Sequence, residues 1–281
     1  MFPYGQKHKI LILWRNPGVN CALQFNIKYD KLYIDYHDNN FSFRFDYLKY
    51  VIKVDKIFFK SEFHLNFYKN FFGKKLIEEK ENKYEIIMNG LRIDNFTVSS
   101  NYDGIREPYR FCYCSAYDRG LFELLQFVWP VIYKNEPRAE LHIYYGIDSI
   151  RDEQFKMNLI FLMGQPGVMD HGRKSMNDII IEKYKSSFQL YITDCIGEID
   201  CISIRESLIT GCIPLISNSN LFKNRDGIHF DLNKKTPEDY TNIANKIVNI
   251  MKKEEFLNLC RNKFKNSNTI ISWNDIAKKW I

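Results

Sequence analysis

Gly197-Glu198-Ile199-Asp200-Cys201-Ile202-Ser203-Ile204-Arg205-Glu206-Ser207-Leu208-Ile209-Thr210-Gly211-Cys212-Ile213-Pro214 lies between two apolar runs, Phe188 to Ile192 and Ile213 to Ile216. This order reads as strand, loop, helix, strand. Glu198 falls in the loop and Glu206 inside the helix, a little over two helical turns further on. Both carboxylates can therefore lie along one side of a single cleft. The helix start near Asp200 to Ser203 offers backbone N–H groups and a positive dipole end, a natural seat for phosphate. Carboxylates suited to sugar hydroxyls beside a phosphate seat point to a nucleotide-sugar site.

Working outward, strands and helices alternate along the chain. Lys9 to Trp14 reads as a buried first strand closed by Asn16-Pro17-Gly18, and Lys31 to Tyr36 as a second closed by His37-Asp38-Asn39-Asn40. Gly18 is either a plain turn or a close approach of backbone to ligand. His37 is either a solvated loop residue or a group at a strand's carboxyl end, where open α/β sheets place ligands. Tyr47 to Val54 reads as a helix, Lys56 to Phe59 as a strand, Ser61 as a helix cap and Tyr84 to Met88 as a strand. The polar stretch 94–107, ending at Glu107-Pro108, reads as a linker.

A second alternating run follows. Tyr109 to Cys114 reads as a strand, Ser115 to Gly120 as a loop, Leu121 to Tyr133 as an amphipathic helix and Glu140 to Tyr145 as a strand. Gln154 to Met163 reads as a helix, and Val168 to Arg173 as a polar loop before a helix capped by Ser175. Ile228 to Phe230 reads as a short strand, Thr236-Pro237 opens a helix, and Ser272-Trp273 opens the last one. Such alternation implies parallel sheets with right-handed crossovers. The fold class is α/β, with two Rossmann-like domains facing a cleft. The expected boundaries are 1–96, a linker at 97–108, 109–270, and a final segment 271–281.

Composition narrows the function classes. The 281 residues, 45% hydrophobic and 26% charged, describe an ordinary soluble globular protein, and the mild net charge of +6 is spread along the chain. Nucleic-acid binding is therefore disfavoured. Seven cysteines form no metal pattern and read as reduced core thiols. No apolar run reaches membrane-spanning length and no signal peptide opens the chain, so a cytoplasmic protein is expected. No glycine-rich dinucleotide fingerprint follows a strand, which disfavours a sugar-nucleotide epimerase. Oligomeric state is not readable.

Several segments together resemble a glycosyltransferase of the GT-B fold, in the large retaining family 4. Glu198 and Glu206 match that family's Glu-x7-Glu spacing, and Glu206-Ser207-Leu208 with Gly211-Cys212-Ile213-Pro214 matches its flank. Tyr113-Cys114-Ser115-Ala116-Tyr117-Asp118-Arg119-Gly120-Leu121 resembles the "YxSSPDRGL" segment of a bacterial and viral subgroup. Trp129-Pro130, Ala139 to Gly146, Asp170-His171-Gly172-Arg173 and Ile87 to Asp94 add to the likeness, which is close over about residues 84–230. Only about 100 residues precede the linker, so the N-terminal, acceptor-side domain looks reduced.

The resemblance implies a retaining transfer of sugar from a nucleotide-diphosphate sugar, UDP or GDP, to a carbohydrate acceptor on a glycan, glycolipid or glycoprotein. It implies Glu206 on the ribose, Glu198 on the donor sugar, and His37 on the N-domain side of the reacting centre. Arg119 and the backbone of Ile199, Asp200, Cys201 and Ile202 would meet the diphosphate; Ser115, Gly172 and Arg173 would complete the donor site. Gly18 and Asp38 would belong to the acceptor-side loops. The final helix, with Trp273 and Trp280, would cross back to the N-terminal domain. No Asp-x-Asp pair occurs, so no metal or other cofactor is expected, and a viral member would work in the host cytoplasm. A non-catalytic nucleotide- or glycan-binding module working through a partner is the competing reading.

Overall fold

The structure is a computed structural model describing residues 7–14, 27–37, 54–72, 81–99, 104–195 and 197–280. The chain divides into two compact units, Met1–Asn89 with Ile196–Asp200 and Ile276–Ile281, and Gly90–Cys195 with Cys201–Asp275. The expected helix at 47–54 and the Asn16–Gly18 turn lie outside the described residues, apart from Val54.

In the first unit β1 (His8–Trp14), β2 (Tyr29–Asp35), β3 (Lys56–Phe59) and β4 (Tyr84–Ile86) form a parallel sheet in that order. Their apolar runs meet in one core built from Leu11, Leu13, Leu32, Ile34, Ile57 and Phe59 with Tyr36 and Tyr68. Sheets covered on both faces select such continuous apolar strands. Helix α1 (Glu62–Phe72) starts at Ser61, whose hydroxyl accepts the His64 N–H at 3.1 Å, as the sequence predicts.

The second unit opens with α2 (Asp94–Ser99), then β5 (Glu107–Cys114). The stretch expected to be a linker is thus helical at its start and strand at its end, because Phe96, 2% exposed, is a core residue in a polar setting. Helix α3 (Leu121–Glu123) passes through a π-helical turn, Leu124–Val128, into α4 (Trp129–Asn135). The widened turn comes just before Pro130, which lacks an N–H and crowds the preceding turn. β6 (Glu140–Tyr144), α5 (Glu153–Met163) and β7 (Val168–Asp170) follow. Val168–Asp170 is therefore a strand, not part of a loop; it is short, lies at the sheet edge and pairs only with β6. Next come α6 (Met176–Lys185), β8 (Ser186–Tyr191), α7 (Ile202–Thr210), β9 (Ile213–Ser217), β10 (Ile228–Phe230), α8 (Pro237–Ile250), α9 (Glu254–Phe264) and α10 (Trp273–Lys278). Capping boxes at Ser175/Asp178 and Thr236/Asp239 set the starts of α6 and α8.

The six parallel strands run β10-β9-β8-β5-β6-β7. The order reverses between β5 and β8, and in open α/β sheets ligands bind outside the carboxyl ends of the strands at such a reversal.

Among the described glycines, Gly90 is the one where an added Cβ would be crowded most. Leu91 and Ser272 form a parallel bridge, and a Cβ on Gly90 would stand 2.5 Å from the Trp273 Cα and 2.6 Å from its N. Both obstacles are backbone, so Gly90→Ala should destabilise the protein by about 3 kcal/mol in urea denaturation. An unchanged midpoint would show that the two segments separate easily.

Candidate functional site

At the reversal point the second unit holds a cavity of about 150 Å³ lined by Cys114, Tyr144, Tyr145, Arg173, Lys174, Ile179, Ser203 and Glu206. Cys114 and Tyr144 are the last residues of β5 and β6, Arg173 and Lys174 follow β7, and Ser203 and Glu206 lie on α7. Ser203 and Glu206 are three apart and so share a helix face. The cavity therefore combines one carboxylate, two cations and two aromatic rings. The Arg173 guanidinium stands 5.7 Å from the Tyr145 ring centroid.

Two loops are fastened together at its mouth. The Tyr145 N–H donates to the Gly172 carbonyl at 3.1 Å. Tyr145 has φ 143°, a conformation costly for an aromatic residue, and such strain concentrates at functional sites. Gly172 has φ 63° with open space where a Cβ would stand, so glycine is needed there for conformation alone. Its N–H donates to Asp170 Oδ1 at 3.0 Å, which also accepts the Tyr117 hydroxyl at 2.5 Å.

Behind the cavity floor lies a buried ionic network. Arg110 grips Glu182 with two bonds, Nε to Oε1 at 2.8 Å and Nη2 to Oε2 at 2.9 Å. Tyr144 and Ser186 each donate a hydroxyl to Glu182 at 2.7 Å. Burial alone would raise the Glu182 carboxyl, but the Arg110 bonds, with His142, Tyr144 and Ser186, bring it down to about 2. His171 stacks on Tyr144 with centroids 4.6 Å apart, and its imidazole pKa is pushed down by burial and by His142.

Of the residues expected from sequence, Glu206 and Arg173 meet in the cavity wall. Ser115 is buried, its hydroxyl donating to the Tyr191 hydroxyl at 3.1 Å. Arg119 ends the turn after β5, its N–H donating to the Ala116 carbonyl at 3.0 Å; its side chain is not part of the cavity wall. The following Gly120, at φ 88°, leaves no room for a Cβ beside the Ile192 carbonyl and Thr193. Cys201 stands at the start of α7, before Ile202, without a side-chain cap bond. Helix starts of this kind can direct first-turn N–H groups at an anion.

The remaining expected residues belong to the first unit. Glu198 is buried, and its Oε1 accepts the N–H groups of Ile199 at 3.2 Å and Asp200 at 3.3 Å. Asp200 Oδ2 accepts the Asn89 N–H at 2.7 Å. The Ile199 carbonyl accepts the Ser61 hydroxyl at 2.6 Å. His37 Nε2 bonds Asp35 Oδ2 at 2.8 Å, and its ring meets Trp14 edge-on at 5.3 Å. Asp35 in turn pairs with Lys60, whose side chain is fully buried. Burial pushes the Lys60 ammonium down, opposed by Asp35. Gly18 and Asp38 lie outside the described residues.

Sequence reasoning passed over Tyr144, Tyr145 and Lys174, and took Ser203 only as part of a helix start. The one available signal was Tyr144-Tyr145-Gly146 at a strand's carboxyl end. Among the described residues no group of three or more His, Cys, Asp or Glu could hold a metal ion, and no helix is long and apolar enough to cross a membrane.

No family model matches the chain, and no curated protein does. Solved structures match it across nearly its whole length. The pneumococcal O-GlcNAc transferase GtfA, solved with UDP and GlcNAc, is 15% identical with a TM-score of 0.67, over 96% of this chain and 55% of that one. HepE of Anabaena, solved with UDP and glucose, is 11% identical with a TM-score of 0.70, over 96% and 76%. The N-terminal domain of a Candida albicans trehalose-6-phosphate phosphatase is 11% identical with a TM-score of 0.69, over 99% and 70%. This chain thus spans about half the length of the pneumococcal protein. At these identities the likeness is one of fold: α/β with two parallel sheets, as in GT-B glycosyltransferases.

Proposed function

We propose that this chain is a retaining glycosyltransferase that takes a sugar from a nucleotide-diphosphate sugar and passes it to a carbohydrate acceptor. The observation that carries this reading is the cavity at the reversal of the second sheet, where Glu206, Arg173, Lys174 and Tyr145 converge. A carboxylate suits a ribose diol, cations suit a diphosphate, and an aromatic ring suits a base. The proteins of like fold solved with UDP make UDP the first donor to try, GDP the second.

In this reading Glu206 holds the ribose. Arg119 and the start of α7, at Cys201 and Ile202, meet the negative charge that builds on the diphosphate as the glycosidic bond breaks. Ser115, Gly172 and Arg173 shape the donor site, and Ile199 and Asp200 extend its loop. Glu198 and His37 serve the donor sugar; Gly18 and Asp38 serve the acceptor. Cationic side chains take the part of a metal, so transfer proceeds in EDTA; membership of family 4 and of its bacterial and viral subgroup belongs to the same proposal.

A second reading has its own observation. Glu198 Oε1 is engaged by its own loop N–H groups, the arrangement of a structural rather than a reacting carboxylate. On that reading the chain binds a nucleotide or glycan without turnover.

A thermal-shift panel of UDP-, GDP- and dTDP-sugars, each with and without EDTA, tests both. One donor should stabilise the chain by roughly 3 kcal/mol at a hundredfold excess over Kd, undiminished by EDTA. No response to any nucleotide would sink the donor-site reading. Binding without hydrolysis or transfer would select the second.

A further inference from the structure

We propose that Lys183 is a positioning residue for Glu206, holding that carboxylate and the first turn of α7 ready for a ligand's paired hydroxyls. The inference rests on the reading of the cavity as a donor-nucleotide site. Lys183 lies on α6 and does not line the cavity; its side chain is fully buried. Its ammonium donates to Glu206 Oε2 at 3.1 Å, to the Ser203 hydroxyl at 2.9 Å and to the Ser203 carbonyl at 2.5 Å. Those three bonds use all three of its protons.

The network continues inward and anchors the helix. Gln189 on β8 donates to the same Ser203 hydroxyl at 2.9 Å, while its own carbonyl oxygen accepts the Ser207 hydroxyl at 2.5 Å. Ser203, Glu206 and Ser207 are thereby tied to β8 and α6 from behind. The two cavity-lining members of α7 are the two that Lys183 touches.

Chemistry gives the arrangement a purpose beyond packing. A buried lysine is expensive, and apolar replacement of buried ion pairs is often neutral or stabilising. Here the pair keeps one carboxylate oxygen occupied and leaves Oε1 for the ligand. Burial alone would lower the Lys183 pKa; Glu206, together with Cys114 and Cys112, more than offsets this, and the net direction is upward. The ammonium therefore persists across neutral pH.

The test uses the full chain with UDP as probe, in a cycle of Lys183→Met, Glu206→Gln and the double variant. Each single change should weaken UDP binding at least about tenfold in calorimetry. The double variant should lose much less than the product of the two single losses, because with the Glu206 carboxylate gone Lys183 has only Ser203 left to hold. Additive losses would overturn the proposal and leave Lys183 a packing residue.

Lys183→Gln, which keeps donors for Ser203, serves if the methionine variant fails to fold. A carboxyl carbon-13 spectrum needs no nucleotide, the Glu206 signal being the one missing in Glu206→Gln. That signal should move when Lys183 is replaced, because the ammonium bond to Oε2 is lost. An unmoved signal overturns the proposal; a moved signal in a chain that binds no nucleotide keeps the positioning role and sinks the donor-site reading instead.

Discussion

Glu206→Gln should lower UDP affinity by about a hundredfold and donor turnover by at least as much. A carboxylate that accepts two ribose hydroxyls makes two charge-assisted bonds, each worth roughly 1.5–3 kcal/mol, and about 2.7 kcal/mol is a hundredfold. The amide keeps the shape but loses the charge and one acceptor. Glu206→Ala removes the same bonds and also strands the buried Lys183 ammonium on Ser203 alone. Leaving one buried charge uncompensated costs about 3–5 kcal/mol, so the alanine variant should also lose stability. Comparing calorimetric Kd and urea midpoints for the two variants separates ligand loss from unfolding. A glutamine variant that binds and turns over donor like the native chain would end the donor-site reading.

The legible parts of the fold share one physical trait. Long, mostly apolar runs mark them: Phe188 to Ile192 and Ile213 to Ile216 form strands buried throughout, while Lys9 to Trp14, an edge strand, is fully buried only at Leu11 and Leu13. Val168–Asp170 was misread because an edge strand with one partner needs little apolar character. The helix at 94–99 was misread because a single aromatic, Phe96, anchors it in an otherwise polar segment. Pro130 inside a helix is tolerated through a π turn that no local pattern announces.

The same contrast runs through the candidate site. Glu206 and Arg173 were visible because they fall in segments that resemble the family, Glu206 in the Glu-x7-Glu spacing and Arg173 in Asp170 to Arg173. Lys183 was invisible: in Glu182-Lys183-Tyr184-Lys185 it resembles any solvated helix end, and only tertiary packing buries it. Tyr145 offered only its place at a strand's carboxyl end; its positive φ and its bond to the Gly172 carbonyl, in the loop after another strand, are tertiary features.

Glu182→Gln should cost on the order of 3 kcal/mol of stability at pH 7 and flatten the acid limb of the stability profile. Glu182 is 3% exposed and accepts from Arg110, Tyr144 and Ser186, so its charge is held by donors from β5, β6 and β8. Its carboxyl falls from 4.5 to about 2 on folding. A depressed carboxyl pKa gives stability that is present above the unfolded value and lost as pH falls through the folded one. Native stability should therefore drop between about pH 4.5 and 2, and that segment of the curve should be shallower in the variant. His171 adds an earlier slope of the same sign: its lowered pKa means stability declines as pH falls below 6.5, and Glu182→Gln leaves this part in place. Urea midpoints at pH 7, 5 and 3 resolve the two segments. Because Tyr144 bonds Glu182, stacks on His171 and lines the cavity, the variant should also weaken UDP binding severalfold at pH 7. Equal acid slopes in native and variant chains would show that Arg110 and Glu182 separate in solution, and that the cavity floor does not depend on their pairing.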